Sequence, residues 1–287
     1  MRRTAVITGA YGYLGSRVRA RLDDAGWTTA ALVRSPRDGD HAAAWSLGER
    51  PPETALAGAD ALVHCAWDFG ARGRSEVWRT NVEGSALLLR EADRLGVPRL
   101  LVLSSMSAYA GTRQLYGRAK LAVEDIVIGL GGIAVRPGIV YGPEPGGMAG
   151  TLEKLTRMPV VPIFGGSARQ FPVHEDDLTR AIVDILERAE WQPEAFGIAQ
   201  LDAVSFRDLL GALAGRDGRR CRFVRVPWRM VHVSLRAVEL AGAGALLPLR
   251  SDSVLGLVRP APFVPPSVAF PGLCESLRRL QQTEPPA

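Results

Sequence analysis

The stretch AVITGAYGYLGSRVRARLDDAG, Ala5 to Gly26, constrains this chain more than any other. An apolar run, Ala5 to Ile7 with the methyl of Thr8, leads directly into Gly9, Gly12 and Gly15, after which Val18 and Leu22 recur at helical spacing. Strand, tight turn and helix follow one another without a spare residue. A turn of this kind needs backbone free of Cβ atoms, and it feeds a helix N-terminus whose unpaired N–H groups and positive dipole end attract an anion. A strand-to-helix turn that merely needs small residues meets the same spacing, so the rest of the chain has to decide.

The alternation continues. Apolar runs at Ala5–Thr8, Thr29–Val33, Ala61–Cys65, Leu100–Ser104 and Ile133–Arg136 read as strands, with helices near Gly15–Ala25, Ser75–Leu95 and Tyr116–Ile128 between them. That pattern predicts an α/β fold, a Rossmann-type doubly wound parallel sheet covered by helices, with ligands collecting at the carboxyl ends of the strands. After Tyr141 the segments GPEPGGMAG and FGGSARQFP read as loops, followed by a helix at Asp176–Arg188 and a strand at Phe196–Leu201. The expected division is a dinucleotide-binding core over 1–202, with 146–169 as a substrate-side loop insertion, and a smaller C-terminal substrate lobe over 203–287.

Bulk properties exclude several classes. The 287 residues carry 35 basic and 30 acidic side chains, a net charge of +5 without any arm of positive charge, so no nucleic-acid partner is expected. Cys65, Cys221 and Cys274 are odd in number and without metal-ligand spacing, which fits a reducing compartment with no disulfide and no metal. The Met1-Arg2-Arg3 start precedes an apolar run cut short at Gly9, unlike a leader, and the expected location is cytoplasmic. Val231–Leu247, the most apolar late segment, carries Arg236 and Glu239 and reads as a buried or interface helix, with no membrane span.

Two further features bear on chemistry. The second strand ends in Arg34, with no acidic residue before Asp38. An acid at that point would suit a ribose 2′-hydroxyl and an arginine suits a 2′-phosphate, so Arg34 points to NADP ahead of NAD, although a solvated surface arginine would look the same. The fourth strand ends in Ser104 and Ser105, and the helix beyond it sets Tyr116 and Lys120 four residues apart on one face. An ammonium next to a phenol favours its ionised form, which would make Tyr116 a proton donor and acceptor while Ser105 holds a substrate oxygen. A core tyrosine beside a solvated lysine is the competing explanation.

With these residues in place, the chain resembles the extended short-chain dehydrogenases/reductases of the NAD-dependent epimerase/dehydratase family. The resemblance rests on TGAYGYLG, ADALVHCA, NVEGSALLLREADRLGVPRLLVLSS, YGRAK, VRPGIVYGP and FPVHEDDLTRAI, in the family's order as far as about residue 185. It implies that Gly9, Gly12 and Gly15, with Tyr11, Tyr13 and Leu14 in the turn, hold the pyrophosphate. Ala66 would wall the adenosine side, and Pro137 would lie beside the nicotinamide. Asn81 would serve a structural or proton-relay role. Ser105, Tyr116 and Lys120 would be catalytic, with Tyr116 and Lys120 also on the cofactor. A homodimer built on two flanking helices, one of them bearing Tyr116, is also implied.

Departures narrow the reaction. Sugar-nucleotide 4,6-dehydratases carry Asp and Glu after the catalytic hydroxyl residue, where this chain has Met106 and Ser107, so dehydration is disfavoured. The adenine contact falls to the backbone of Leu47 or Gly48. Trp67, Phe69, Met148 and Arg169 are the candidate substrate residues, with Arg72, Arg74 and Trp228 behind them. The expected partner is a small molecule, a nucleotide-activated sugar or a similarly polar natural-product intermediate. Three readings stay open: an NAD(P)-dependent oxidoreductase acting at a carbonyl or secondary alcohol, an epimerase that retains its NAD, and a non-catalytic dinucleotide-binding sensor or complex subunit.

Overall fold

The computed structural model describes residues 2–280 except 217, 220, 244–246 and 248. The chain begins with β1 (Thr4–Thr8), α1 (Tyr13–Asp24), β2 (Thr28–Val33), β3 (Ala42–Ala44), α2 (Glu53–Leu56) and β4 (Ala61–His64). Then come α3 (Gly73–Val77), a π-helical turn at Trp78–Glu83, α4 (Gly84–Arg94), β5 (Leu100–Leu103), α5 (Leu115–Gly129) and β6 (Ile133–Pro137). Next are β7 (Ile139–Tyr141), α6 (Gly147–Thr156), β8 (Val160–Ile163), β9 (Arg169–Gln170), β10 (Pro172–His174), α7 (Glu175–Glu187) and β11 (Ala195–Ile198). The last elements are β12 (Val204–Ser205), α8 (Phe206–Arg216), β13 (Arg222–Arg225), α9 (Trp228–Leu240) and α10 (Ser251–Val258).

Seven strands form one parallel sheet in the order β11-β6-β5-β4-β1-β2-β3. The strands are almost wholly apolar because both faces are covered: Ile7, Val63, Leu101 and Val135 pack with α1 and α7 on one side, while Val6, Leu62, Val102 and Ala134 pack with α4 and α5 on the other. Winding reverses at β1, which pairs with β2 on one side and β4 on the other. The crevice outside the carboxyl ends of β1 and β4 is therefore the place where such a sheet receives a ligand.

The expected loops after Tyr141 are a correction in part. Gly147–Thr156 is helix α6, because Ala149, Leu152 and Leu155 recur at helical spacing and bury one face despite the surrounding glycines. With α8, α10 and β8 it closes a second apolar cluster around Tyr141, Phe164, Phe206 and Leu209. Of the reading of Val231–Leu247 as a buried or interface helix, the buried alternative is corrected over Val231–Leu240, since none of the residues of α9 is buried, and 244–246 lie outside the described residues.

An ion pair fixes α5 against the sheet. The Glu124 carboxylate accepts from Arg136 Nε at 2.9 and 3.0 Å and from the Ser104 hydroxyl, with Glu124 only 1% exposed. Removing one partner leaves a buried charge uncompensated, whereas removing both with apolar groups does not. Arg136→Met should lose about 3–5 kcal/mol of unfolding free energy in urea titration. The double change Glu124→Leu/Arg136→Met should recover most of it.

Candidate active site

The glycine turn is built without spare room. Gly9 has φ +63°, and a Cβ there would lie 3.0 Å from the backbone nitrogen of Ala66 at the end of β4. A Cβ on Gly15 would lie 2.2 Å from the Gly9 carbonyl oxygen, so the first turn of α1 sits directly on the loop. Gly12 is the N-cap of α1 and brings no side-chain cap, and no acidic residue occupies the first turn. An uncapped helix N-terminus behind a Cβ-free loop is the environment a pyrophosphate needs, so the residues present fit a dinucleotide.

The neighbouring strand end is tied to this turn by a buried polar chain. The Thr8 hydroxyl accepts from Ala66 N at 3.1 Å and meets His64 Nδ1 at 2.7 Å, while His64 Nε2 meets the Ser85 hydroxyl at 2.8 Å. Burial pushes His64 down to about 3, so this imidazole stays neutral and structural.

Beyond Ala66, Asn81 holds the chain from both sides: its Oδ1 accepts from Asp68 N at 2.7 Å and its Nδ2 donates to Asp68 O at 3.1 Å. Both ends of the amide are used on the backbone of Asp68, which lies between Trp67 and Phe69. Trp67 meets the Tyr116 ring edge-on at 5.4 Å between centroids, and Phe69 stacks on it at 6.0 Å.

Helix α5 is anchored at its start by a residue far away in sequence. Its N-cap, Gln114, makes no side-chain cap. Asp252 of α10 takes that place, accepting from Leu115 N at 2.9 Å and Tyr116 N at 3.2 Å. The carboxylate thus matches the helix dipole and holds the backbone of Tyr116 itself.

The relation of Lys120 to Tyr116 corrects the expectation from spacing. Lys120 Nζ donates to Leu103 O at 2.7 Å and lies 4.0 Å from the Trp67 ring centroid, against 5.9 Å from that of Tyr116. The ammonium is drawn to a strand-end carbonyl and an indole face. Tyr116 is not lowered: burial pushes it up to about 12, offset in part by its hydrogen bond with Ser105. Burial pushes Lys120 down to about 7, opposed by Cys65 and Glu124.

A cavity of about 1940 Å³ joins these features. Its walls include Gly9, Tyr11, Gly12, Tyr13, Leu14, Gly15 and Arg34 at one end, then Ala66, Trp67, Phe69, Ser105, Tyr116, Lys120, Pro137 and Met148. Arg34 follows β2, and the nearby Asp40 is occupied, bonded by Arg19 and by the Tyr11 hydroxyl at 2.6 Å. Leu47 lines the cavity and Gly48 does not. Arg72 and Arg74 line it too, whereas Trp228 does not.

Arg169 is a correction. In β9 it is exposed, its guanidinium over the Phe171 ring, while Gln170 beside it is buried and reaches the cavity. Alternation along an extended backbone sets Arg169 and Gln170 on opposite sides. His174 is the N-cap of α7, its Nδ1 accepting from Asp176 N at 3.2 Å, and it is not part of the cavity wall. Sequence reasoning missed the far wall, formed by His232, Arg236, Glu239, Arg250, Asp252 and Gly256, for which no local motif exists.

The family model described as NAD dependent epimerase/dehydratase family matches residues 5–199. The chain belongs to this family. Among relatives of this family member, a ceramide reductase of Caulobacter vibrioides is 28% identical over 243 residues, covering 79% of this chain and 74% of the relative. A dTDP-4-dehydro-6-deoxy-D-allose reductase of a Streptomyces species is 27% identical over 291 residues, covering 83% and 89%. The solved structure of MoeE5 in complex with UDP-glucuronic acid and NAD superposes with a TM-score of 0.67 at 25% identity, covering 78% of this chain and 85% of that one.

The buried lysine gives a pH signature. The unfolded chain holds the Lys120 proton up to its ordinary value of 10.5 and the folded chain only to about 7. Between these values the unfolded state binds more protons, so stability contributed by this group rises with pH, and below about 7 the full cost of burying the ammonium persists. The melting temperature of Lys120→Met should exceed that of the parent most at pH 6 and approach it towards pH 10.

Proposed function

We propose that this protein is an NADP-dependent carbonyl reductase of the family, acting on a ketone of a polar substrate in the manner of a nucleotide-linked keto sugar. The observation that carries the reading is geometric: one cavity joins the Cβ-free turn at Gly9, Gly12 and Gly15 to Ser105, Tyr116 and Lys120. The Tyr116 phenol keeps its proton at neutral pH and can give it to a carbonyl oxygen. A bound nicotinamide dinucleotide supplies the hydride. Ser105, bonded to Tyr116, holds the substrate oxygen in line, and Lys120, held on the Leu103 carbonyl and away from the phenol, is left to the cofactor. The two hydroxyls and the amine are on rigid elements, a strand end and a helix, which suits them to fixed geometry.

Arg34 supports NADP, since the ribose end of the cavity presents this arginine and Ser35, while Asp40 is already paired. Arg72, Arg74, Arg113 and Arg118, also in the cavity wall, suit a diphosphate, and the wall residues from 203 onward are read as the substrate side. Water elimination lacks its carboxylates: Met106 and Ser107 follow Ser105, and the acids of the cavity are engaged on backbone or serine. Two relatives named as reductases support the direction. Epimerisation with retained NAD is the second reading, favoured by the MoeE5 structure with NAD and a nucleotide sugar.

Purified protein is assayed for NADPH oxidation with nucleotide-linked keto sugars and with keto lipids. Tyr116→Phe should lower kcat by about 10²–10⁴-fold and leave the dinucleotide Kd within about twofold. Arg34→Ala should weaken NADPH about tenfold and NADH little. Tightly bound NAD released on denaturation, with turnover needing no added cofactor, would contradict the reductase and select the epimerase. Turnover unaffected by Tyr116→Phe would contradict both.

A further inference from the structure

Helix α9 carries apolar side chains on its outward side as well as its inward one. Trp228, Val231 and Leu235 pack inward on the second apolar cluster. On the opposite side Met230, Val233 and Leu240 are 63%, 64% and 79% exposed, joined by Ala237 into one stripe at spacings of three and four. A solvent-facing helix ordinarily turns polar residues to this side. Arg229 and Arg236 border the stripe on the helical wheel, and the preceding strand β13 exposes Arg222, Val224 and Arg225. Residues 216–250 contain eight arginines and two acidic residues, more than the whole chain's excess of +5. Arg222, Arg225, Arg229 and Arg236 have no acidic partner among the described residues.

Charge decides what covers such a surface. A second copy would bring the same arginines to face these, a repulsive pairing of like charges. An anionic phospholipid surface complements both parts at once: acyl chains take the apolar stripe and headgroups take the arginines. At 13 residues α9 is about 20 Å long, suited to lying in the interface plane, and no helix among the described residues is long and apolar enough to cross a membrane. We propose that α9 and β13 form a docking surface for an anionic bilayer, with Met230, Val233 and Leu240 at the headgroup boundary and Arg222, Arg225 and Arg229 against the phosphates. His232, Arg236, Glu239 and Leu240 also line the cavity, so docking sets its mouth at the bilayer. The inference does not depend on the reductase reading.

The test is co-sedimentation of the full chain with phosphatidylglycerol–phosphatidylcholine vesicles and with phosphatidylcholine vesicles alone. The parent should sediment with the anionic vesicles, remain in solution with the neutral ones, and be released as salt rises. Met230→Asp/Val233→Asp, at two exposed positions outside the cavity wall, should bind about tenfold more weakly or less, with an unchanged circular dichroism spectrum. Arg222→Ser/Arg225→Ser should weaken binding while leaving the stripe intact. A parent that stays in solution with anionic vesicles, or a Met230→Asp/Val233→Asp protein that binds them as well as the parent, overturns the proposal. A parent dimer that the same double change dissociates, with no vesicle binding, would give the stripe to a second copy and overturn it too.

Discussion

The approach of Gly9 to the end of β4 is the constraint on which the rest depends. With φ +63° and no Cβ, Gly9 lets the β1 loop pass within contact of the Ala66 backbone, while Gly15 seats α1 on the Gly9 carbonyl. Three backbones meet where the winding of the sheet reverses. Thr8, His64 and Ser85 then fix the two strand ends to one another with no side chain exposed to water. The anion-seeking end of α1 and the wall after β4 therefore hold one geometry, and the cavity is shaped around it.

The second half of the site is held by contacts on α5. Glu124 and Arg136 clamp the middle of this helix to β6, Lys120 ties it to the end of β5, and Asp252 caps its first turn from α10. The cap is also a mechanical link: α10 gives its Asp252 to the Tyr116 backbone, and its Ser251 hydroxyl donates to Glu239 of α9. Elements on the far wall of the cavity thus bear directly on the position of the phenol.

How much of this was legible in the sequence follows from the range of each interaction. The glycine turn and the strand–helix alternation are local patterns, so the doubly wound sheet and Gly9, Gly12, Gly15, Trp67 and Tyr116 beside one cavity could be read from residues alone. The placement of the Lys120 amine could not. Helical spacing sets two Cβ atoms on one face, but the Leu103 carbonyl and the Trp67 ring, contributed by other strands, decide where the long side chain ends. Asp252 is 136 residues from Tyr116 and carries no motif. Arg169 failed because a two-residue strand gives no pattern from which to choose a face. Helix α6 was hidden by glycines at Gly146, Gly147 and Gly150 that belong to its first turns.

Whether the turn before α1 receives a dinucleotide is decided by calorimetric titration of the purified chain with NADPH and NADH, repeated with Gly12→Asp. Aspartate suits the extended N-cap backbone, although its Cβ would press on the Gly9 carbonyl oxygen at 3.1 Å, so folding of the variant is checked by circular dichroism; its carboxylate would stand where the pyrophosphate is received. One dinucleotide should bind per parent chain, and the folded variant should lose that binding. Failure of the parent to bind either dinucleotide, or binding that Gly12→Asp leaves unchanged, would contradict that role of the turn.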